Sequence, residues 1–301
     1  MQQKLRLSDK IILFPLWLIT LLPLRILFVI SDFFFLILLY VVGYRKSVVT
    51  DNLQKAFPEK SMQEIIKIRR RFYRYLCDYF IESVYMINMG ARESKRRYHF
   101  ENIEMLNKLH QEGKSIILAV VHYGNWEWAT NVTLCSEYTL YGVYKPQKNK
   151  IIDRLFIQIR SKFNSIPVPY KQTLRTITTK LSNKEPIILC LVGDQRPRKS
   201  DLEYWSYFLN QETPIITGMD KLARKLDLPV VFMNIQRVKR GYYHIKFEMI
   251  EDKSKLAKPY EIIERYMKKV EDLIHTQPEY WLWSHKRFKY KPEEYKITKG
   301  S

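Results

Sequence analysis

One histidine and one glutamate stand where a predicted strand gives way to a predicted helix. His122 follows a continuous apolar run, residues 116–121, rich in β-branched side chains, as a strand covered on both faces requires. Glu127 comes five positions later, and positions i and i+5 of one regular helix do not share a face. A turn between them would bring the carboxylate back to the imidazole. The spacing therefore predicts a general base of fixed tautomer; the alternative is a structural histidine beside a glutamate that only starts a helix.

The residues between this pair supply the turn. Gly124 and Asn125 are turn and N-cap residues, and a helix can begin at Trp126. In open α/β sheets, ligands bind at the carboxyl ends of strands, which is where His122 falls. We therefore count Asn125 among the candidate substrate-binding residues.

Other catalytic chemistries find no support in the sequence. No two histidines have i, i+4 spacing and no His/Cys/carboxylate cluster is visible, so we expect no metal site. No P-loop, G-x-G-x-x-G or G-x-S-x-G motif is present, so we expect neither a nucleotide cofactor nor a serine hydrolase. The three cysteines, Cys77, Cys135 and Cys190, lack C-x-x-C spacing and are predicted to be free thiols in a reducing compartment.

Apolar runs of strand length alternate with amphipathic helical segments along most of the chain. Ser61-x-x-Glu64 is a capping box that predicts the start of a long helix over residues 61–88. Buried strands are predicted for Ile116 to Val121, Ile187 to Val192 and Val230 to Gln236, and an edge strand for Tyr242 to Ile250. This alternation predicts an α/β fold with a mixed, mostly parallel sheet flanked by helices.

Residues 11–42 are overwhelmingly apolar, interrupted by Arg25 and Asp32 and by two prolines. A transmembrane helix needs about 20 apolar residues. We predict one kinked or tilted membrane anchor helix; a shallow hairpin and a buried helix of a soluble protein are the alternatives. Arg25 and Asp32 are two helical turns apart and could pair on one face of the helix. The predicted division is an N-terminal anchor over 1–44 and an α/β domain over 45–301.

The formal net charge of +20 over 301 residues indicates a polyanionic partner: nucleic acid, an anionic membrane or a phosphorylated lipid. The aromatic and basic segment from Trp281 to Phe288 could stack single-stranded nucleic acid, but no recognised nucleic-acid motif is present. Tryptophan beside lysine and arginine is equally typical of a membrane interface. Because the N-terminus is apolar, we expect the membrane and no nucleic acid, and we expect His285 to be a packed residue, not a base.

Several short motifs together resemble the late acyltransferases of lipid A assembly, the lauroyl/myristoyl transferase family, which is distantly related to glycerophosphate acyltransferases. The resemblance runs almost from end to end. After the apolar N-terminus it is carried by Asn52 with Ala56-Phe57-Pro58-Glu59, H-Y-G-N-W-E from His122 to Glu127, Tyr144-Lys145-Pro146 with Asn149, Arg160, Asp194-Gln195, Thr217-Gly218, and Pro278-Glu279-Tyr280-x-x-Trp283-x-His285-x-Arg287. One departure is visible: where the family often has Phe-x-Gly, this chain has Phe208-Leu209-Asn210.

The resemblance implies transfer of a fatty acyl group from acyl carrier protein to a hydroxyl of a lipid A precursor. It implies a location at the cytoplasmic face of a bacterial inner membrane. His122 would take the hydroxyl proton as the oxygen attacks the thioester directly, and Glu127 would hold the imidazole.

The resemblance also assigns roles to three further charged residues. Arg160 and Lys145 match positively charged family positions and are expected to grip a phosphate of the acceptor. Asp194 matches a position of supporting role. The alternative for all three is ordinary surface charge. The acidic carrier protein, the phosphorylated glycolipid and the anionic membrane would each attract a basic protein.

Two other functions stay open at this point. The first keeps the chemistry and changes the acceptor to an aminolipid or a glycosylated phospholipid. The second is a non-catalytic, membrane-tethered basic binding protein in which His122 and Glu127 are structural.

Overall fold

A seven-stranded sheet forms the centre of the protein in the computed structural model, which describes residues 6–293. Its strands are β1 Tyr98–Phe100, β2 Ile116–Val120, β3 Thr139–Tyr144, β4 Ser165–Pro169, β5 Ile187–Val192, β8 Val230–Lys239 and β9 Tyr242–Glu251; β6 Trp205–Phe208 and β7 Gln211–Pro214 form a separate hairpin. The order across the sheet is β1-β9-β8-β2-β5-β3-β4. All neighbouring pairs are parallel except β8 and β9. The predicted α/β fold with a mixed, mostly parallel sheet is confirmed.

Helices cover both faces of this sheet. They are α1 Leu7–Ile19, α2 Leu24–Leu36, α3 Lys46–Ala56, α4 Met62–Tyr85, α5 Ala91–Arg97, α6 Glu104–Gln111, α7 Lys150–Arg160, α8 Thr173–Ser182, α9 Gly218–Leu226 and α10 Glu261–Thr276. The capping box predicted for α4 is present, with Glu64 N 3.4 Å from Ser61 Oγ and Ser61 N 2.8 Å from Glu64 Oε2.

Strand β2 lies in the middle of the sheet and is buried along its whole length. Its alternate side chains enter two hydrophobic cores, because successive residues of a strand point to opposite faces. Ile117 and Ala119 pack with residues of α4 and α10, whereas Ile116 and Leu118 pack with residues of α6 and α7. The strand therefore holds whatever follows its carboxyl end on a rigid, doubly covered base.

One prediction about the strands was wrong, and one pair of strands was not predicted. β9 is not an edge strand, because β1 pairs with it at Tyr243–Ile245; a strand of three residues is too short to show an alternating pattern in the sequence. The hairpin of β6 and β7 was not predicted. Its turn residues Leu209 and Asn210 have φ of +50° and +60°, a conformation that asparagine tolerates and that suits a two-residue hairpin turn.

The apolar N-terminal segment forms two helices with a break at Thr20–Pro23, and a π-helical turn, Ile37–Val41, extends the second. Among the described residues, one helical stretch, Leu24–Val41, has the length and hydropathy to span a membrane, and one third of it is buried. The pair of Arg25 with Asp32 does not form: Arg25 is exposed, and Asp32 binds Arg74 and Arg240. Arg74 lies on α4 and Arg240 lies in the turn between β8 and β9. The spacing of residues within the N-terminal segment carries no information about such distant partners.

The predicted division into an anchor over 1–44 and a domain over 45–301 stays a prediction. Residues 1–5 and 294–301, which fall at the outer ends of these two ranges, lie outside the described part of the chain. Within the described part, α2 packs along α4, and Ser31 of α2 donates a hydrogen bond of 2.7 Å to Asp78 of α4.

Candidate active site

His122 meets its carboxylate partner at the carboxyl end of the sheet. It lies two residues beyond β2, and Asp194 lies two residues beyond β5, the parallel neighbour in which Val192 is paired with Val120. The Nδ1 atom of His122 is 2.8 Å from Oδ1 of Asp194, and the His122 backbone N–H donates to the same oxygen at 3.3 Å. With Asp194 ionised, Nδ1 carries the proton and Nε2 presents a lone pair.

Asp194 is fully buried, and several donors keep it charged. Trp281 Nε1 donates to its Oδ2 at 2.7 Å, and Gln195 donates to the same atom at 3.3 Å. Burial alone raises the pKa of the Asp194 carboxyl, but the charge and hydrogen bonds of His122 and the Trp281 indole outweigh burial and hold that pKa below its ordinary value. The side chain of His122 is 27% exposed while that of Asp194 is 0% exposed, so the imidazole is the member of the pair that a substrate can reach.

Glu127 does not make the expected hydrogen bond to His122. Both its oxygens are occupied by Arg160, whose Nε and Nη2 donate to Oε2 and Oε1 at 2.8 and 2.6 Å, and Tyr79 donates to Oε1 at 3.2 Å. The carboxylate that orients the imidazole is therefore Asp194. Glu127 opens a 3₁₀ helix, Trp126–Leu134, instead of an α-helix, and this turn aims its side chain at the last residue of α7.

The Glu127–Arg160 pair nevertheless belongs to the same site. Burial raises the pKa of Glu127, yet Arg160, Tyr79 and the charge of His122 together hold it below its ordinary value. Trp126 connects the His122–Asp194 pair with the Glu127–Arg160 pair. Its ring stacks on the Tyr79 ring, with ring centres 4.0 Å apart, and meets the His122 ring edge-on, with ring centres 5.2 Å apart. The predicted residues His122, Glu127, Arg160 and Asp194 thus come together around one aromatic side chain.

Two other predicted substrate-binding residues lie elsewhere. Asn125 is 0% exposed and donates from its side-chain amide to Glu82 at 2.8 Å, so it lies in the interior instead of facing a substrate. Lys145 is exposed on the loop after β3, the strand next to β5 in the sheet. No metal-binding group of three or more His, Cys, Asp or Glu side chains occurs between residues 6 and 293.

The C-terminal segment, residues 280–287, holds both halves of the His122–Asp194 pair. Leu282 N donates to the His122 carbonyl at 3.1 Å and Gly124 N donates to the Tyr280 carbonyl at 3.0 Å. From the same segment, Arg287 Nε donates to the Asp194 carbonyl at 3.0 Å. The local sequence pattern did not indicate this role.

The assignment of the tryptophans in this segment to a membrane interface was wrong. Trp281 and Trp283 are each 0% exposed, and their indole N–H groups bond to Asp194 and to the Pro278 carbonyl. A buried tryptophan needs such an acceptor. The sequence signals for that assignment were tryptophan beside lysine and arginine, which is typical of a membrane interface, and the apolar N-terminus.

Known proteins match this chain over most of its length. A family model described as bacterial lipid A biosynthesis acyltransferase matches residues 4–290. The lipid A biosynthesis lauroyltransferase of Escherichia coli (strain K12) is 25% identical over 279 residues, which cover 92% of this chain and 90% of that protein. The lipid A biosynthesis palmitoleoyltransferase of the same strain is 21% identical over 250 residues, 82% of this chain and 80% of that protein. A lipid A biosynthesis acyltransferase of Shigella flexneri matches to the same extent.

These matches exclude the alternative of a non-catalytic binding protein, since the relatives are named as acyltransferases. With the family model covering nearly the whole chain, the protein belongs to the bacterial lipid A biosynthesis acyltransferase family.

Proposed function

We propose that the protein transfers a fatty acyl group from an acyl-carrier-protein thioester to a hydroxyl of a lipid A precursor, with His122 as the general base. The observation that carries this proposal is the contact between His122 Nδ1 and the buried Asp194 carboxylate, 2.8 Å apart, in a member of a lipid A acyltransferase family. A histidine oriented through Nδ1 is suited to remove a proton with Nε2.

The reaction follows from this geometry. Nε2 of His122 takes the proton of the acceptor hydroxyl while the hydroxyl oxygen attacks the thioester carbonyl. The tetrahedral intermediate collapses to the ester, and its carbon–sulfur bond breaks. The imidazolium returns the proton to the departing thiolate, so no net charge is left. Asp194 stabilises the imidazolium between these two steps.

Glu127 and Arg160 act in this proposal as a support for the base. Their bidentate ion pair fixes the start of the 3₁₀ helix and with it Trp126, against which the His122 ring lies. Arg160 therefore positions the site through Glu127. A phosphate contact for Arg160, as the resemblance implies, would have to use the part of the guanidinium that faces away from that carboxylate.

The N-terminal helices suit attachment to a membrane. Both present large exposed apolar side chains, among them Leu7, Ile11, Phe14, Leu18, Ile26, Val29, Phe33 and Phe34. Arg240 binds Asp32 of α2 and Asp78 of α4 at 2.9 and 2.5 Å, so α2 and the sheet form one body. We propose that this face rests in the cytoplasmic side of a bacterial inner membrane, where the formal charge of +20 favours an anionic leaflet and an acidic carrier.

A transfer assay with full-length protein tests the proposed base. It combines defined acyl-carrier-protein thioesters with a lipid A precursor and detects the acylated product by mass spectrometry. We expect His122→Ala and Asp194→Asn to lower kcat by about 100- to 10,000-fold without loss of the fold.

Matched controls are His110→Ala, which removes a histidine paired with Glu137, and Asp201→Asn, which removes an exposed partner of Arg198. Both should keep the rate of the unaltered protein. Full activity of His122→Ala would remove the base assignment. If product forms only with an aminolipid or a glycosylated phospholipid, the proposed lipid A acceptor is wrong and the proposed acyl transfer by His122 stands.

A further inference from the structure

Three basic side chains gather beside the His122–Asp194 pair and play no part in the proposed proton transfer. Arg196 lies two residues after Asp194, and its guanidinium carbon is 5.1 Å from the centre of the Tyr290 ring. Arg287 contacts the Asp194 carbonyl. His285 lies two residues before Arg287, close enough to His122 that the charges of His122, Arg196 and Arg287 all act on it.

These side chains carry hydrogen-bonding groups with no partner in the described part of the protein. They are Arg196 Nε and Nη1, Arg287 Nη2 and His285 Nδ1, all shielded from solvent. Arg287 is 0% exposed; its other side-chain N–H groups donate to the Asp194 carbonyl and the Thr213 hydroxyl. A buried charged donor without an acceptor is costly, so such groups are usually satisfied by a carboxylate, water or a ligand.

Several other shielded arginines in the described part of the protein are paired with a carboxylate, unlike the arginines of this cluster. Buried or largely buried ion pairs join Arg154 to Asp9, Arg160 to Glu127 and Arg237 to Asp78. Between residues 6 and 293, neither Arg196 nor Arg287 has an ion-pair partner, and the nearby carboxylate of Asp194 is already bound to His122 and Trp281. The cluster therefore holds an excess of positive charge.

The lowered pKa values of His285 and Arg287 agree with this excess of positive charge. Burial, followed by the charges of Arg196, His122 and Arg287, lowers the pKa of His285 to about 4. Burial and the charge of Arg196 lower the pKa of Arg287 to about 9, against the opposing effect of Asp194. Groups that repel one another in this way bind an anion favourably, because the anion relieves the repulsion.

We propose that Arg196, His285 and Arg287 form an anion subsite that takes a phosphate ester of a substrate next to the reacting nitrogen of His122. Arg196 and His285 are partly exposed and make the contacts, while Arg287 lies beneath them and adds charge and an unpaired N–H. An arginine fork suits phosphate oxygens. The choice of substrate rests on the proposed function. In that reaction, the phosphate belongs either to the acceptor glycolipid or to the phosphopantetheine arm of the carrier.

Binding of inorganic phosphate tests the subsite without any transfer activity. Thermal unfolding of the full-length protein in detergent is followed against phosphate concentration at constant ionic strength. We expect saturable stabilisation, with the apparent Kd raised about tenfold or more in Arg196→Gln and partly restored in Arg196→Lys. Arg198→Gln is the matched control, because Arg198 is exposed on the same loop and pairs with Asp201; its Kd should equal that of the unaltered protein. Absence of saturation in the unaltered protein, or the same Kd in Arg196→Gln, would overturn the subsite.

Steady-state kinetics then identify the source of the phosphate. A rise in the KM for the glycolipid in Arg196→Gln, which disappears when the glycolipid lacks phosphate, assigns the subsite to the acceptor. A rise in the KM for the acyl carrier thioester assigns it to the phosphopantetheine arm. A fall in kcat with both KM values unchanged contradicts a phosphate subsite. If no variant or unaltered protein transfers acyl groups while phosphate binding behaves as expected, the proposed function fails and the anion subsite stands.

Discussion

In the candidate active site, the carboxylate that holds His122 comes from Asp194, 72 residues further along the chain. Asp194 has no exposed surface, whereas the imidazole retains some. This division suits their tasks, because a buried carboxylate keeps one tautomer of the histidine and a partly exposed ring meets the substrate. Trp281 supplies the hydrogen bond to the other carboxylate oxygen, so the indole acts on the base through Asp194.

The first residue-scale prediction concerns Trp281. Trp281→Phe keeps an aromatic ring but removes the 2.7 Å hydrogen bond to Asp194. Since that bond helps to hold the pKa of Asp194 below its ordinary value, the pKa should rise. A group with a depressed pKa is ionised until the pH falls through that pKa. Protonation of Asp194 removes the acceptor of the His122 Nδ1–H bond, so the loss of kcat caused by that protonation should begin at a higher pH in the acyl transfer assay. An unchanged profile with an unchanged kcat would deny Trp281 this positioning role.

The second residue-scale prediction concerns Glu127 and Arg160. Glu127→Ala leaves the Arg160 guanidinium without its carboxylate in a mostly buried place, which should cost about 3 kcal/mol of unfolding free energy. The double variant Glu127→Ala/Arg160→Ala should lose less unfolding free energy than the two single variants lose in sum, because it leaves no unpaired charge. Denaturant unfolding measures all three variants.

An exposed ion pair provides the control for this cycle. Asp51 and Lys55 pair at 2.8 Å on the surface of α3, with side chains 57% and 35% exposed, and Asp51→Ala should cost only about 0–1 kcal/mol. Strictly additive losses at Glu127 and Arg160 would mean that the two residues do not act as a unit.

At the scale of elements, the turn after β2 is held by close packing as well as by hydrogen bonds. Gly124 has a φ of +57°, and a Cβ on it would lie 2.8 Å from Cγ2 of Ile235 in β8. Its N–H donates to the Tyr280 carbonyl, and its carbonyl accepts from Tyr75 of α4 at 2.6 Å. Three separate elements therefore converge on the turn that carries the 3₁₀ helix away from His122.

The element-scale prediction follows from that packing. Gly124→Ala should lower the unfolding free energy by about 1–3 kcal/mol, because the methyl group overpacks against Ile235 and the backbone conformation is strained. Transfer activity should also fall, since the turn lies next to His122. Thermal unfolding and the transfer assay measure both effects.

Gly218, at the start of α9, has no positive φ, and a methyl group added to it would meet no other atom within 4 Å. Gly218→Ala should therefore keep or slightly raise stability. Equal stability of the Gly124 and Gly218 variants would contradict the close packing at the turn.

For the whole molecule, the segment of residues 280–287 is held by α3 as well as by the candidate active site. Asn52 of α3 donates to the carbonyls of Trp283 and His285 at 2.8 and 2.7 Å, and Arg45 donates to the Ser284 carbonyl at 2.9 Å. Helix α3 and the residue before it thus bind the same segment that binds His122 and Asp194. Residues 280–287 therefore connect α3 with the candidate active site.

The whole-molecule prediction concerns stability against pH. Burial and the charges of Arg196, His122 and Arg287 lower the pKa of His285 from 6.5 to about 4. Below pH 6.5 the unfolded chain takes up a proton at this position that the folded protein does not, so stability falls between pH 6.5 and 4. The loss should reach at most about 3 kcal/mol.

His285→Asn should flatten this part of the stability curve, measured by thermal unfolding in a buffer without phosphate. His110→Asn serves as a control because His110 lies far from the cluster in the sequence and pairs with Glu137. If the curve keeps its slope in His285→Asn, another group is responsible for the loss.

Local patterns in the sequence were sufficient for much of the fold and part of the site. The run before His122, the run before Asp194 and the capping box of α4 each depend on neighbouring residues, and each appears as predicted. The placement of His122 at a strand end follows from the same local pattern. The resemblance to the lipid A acyltransferases likewise rests on short motifs, and the family match covers them.

Tertiary structure alone decided which carboxylate serves His122. Glu127 is near in sequence, but the turn directs it to Arg160, while the parallel pairing of β2 with β5 brings Asp194 to the imidazole. The same applies to Asp32, which pairs across elements with Arg240, and to Trp281, which is buried against Asp194. Strand order and long-range ion pairs depend on contacts between distant segments, and local spacing and composition carry no information about them.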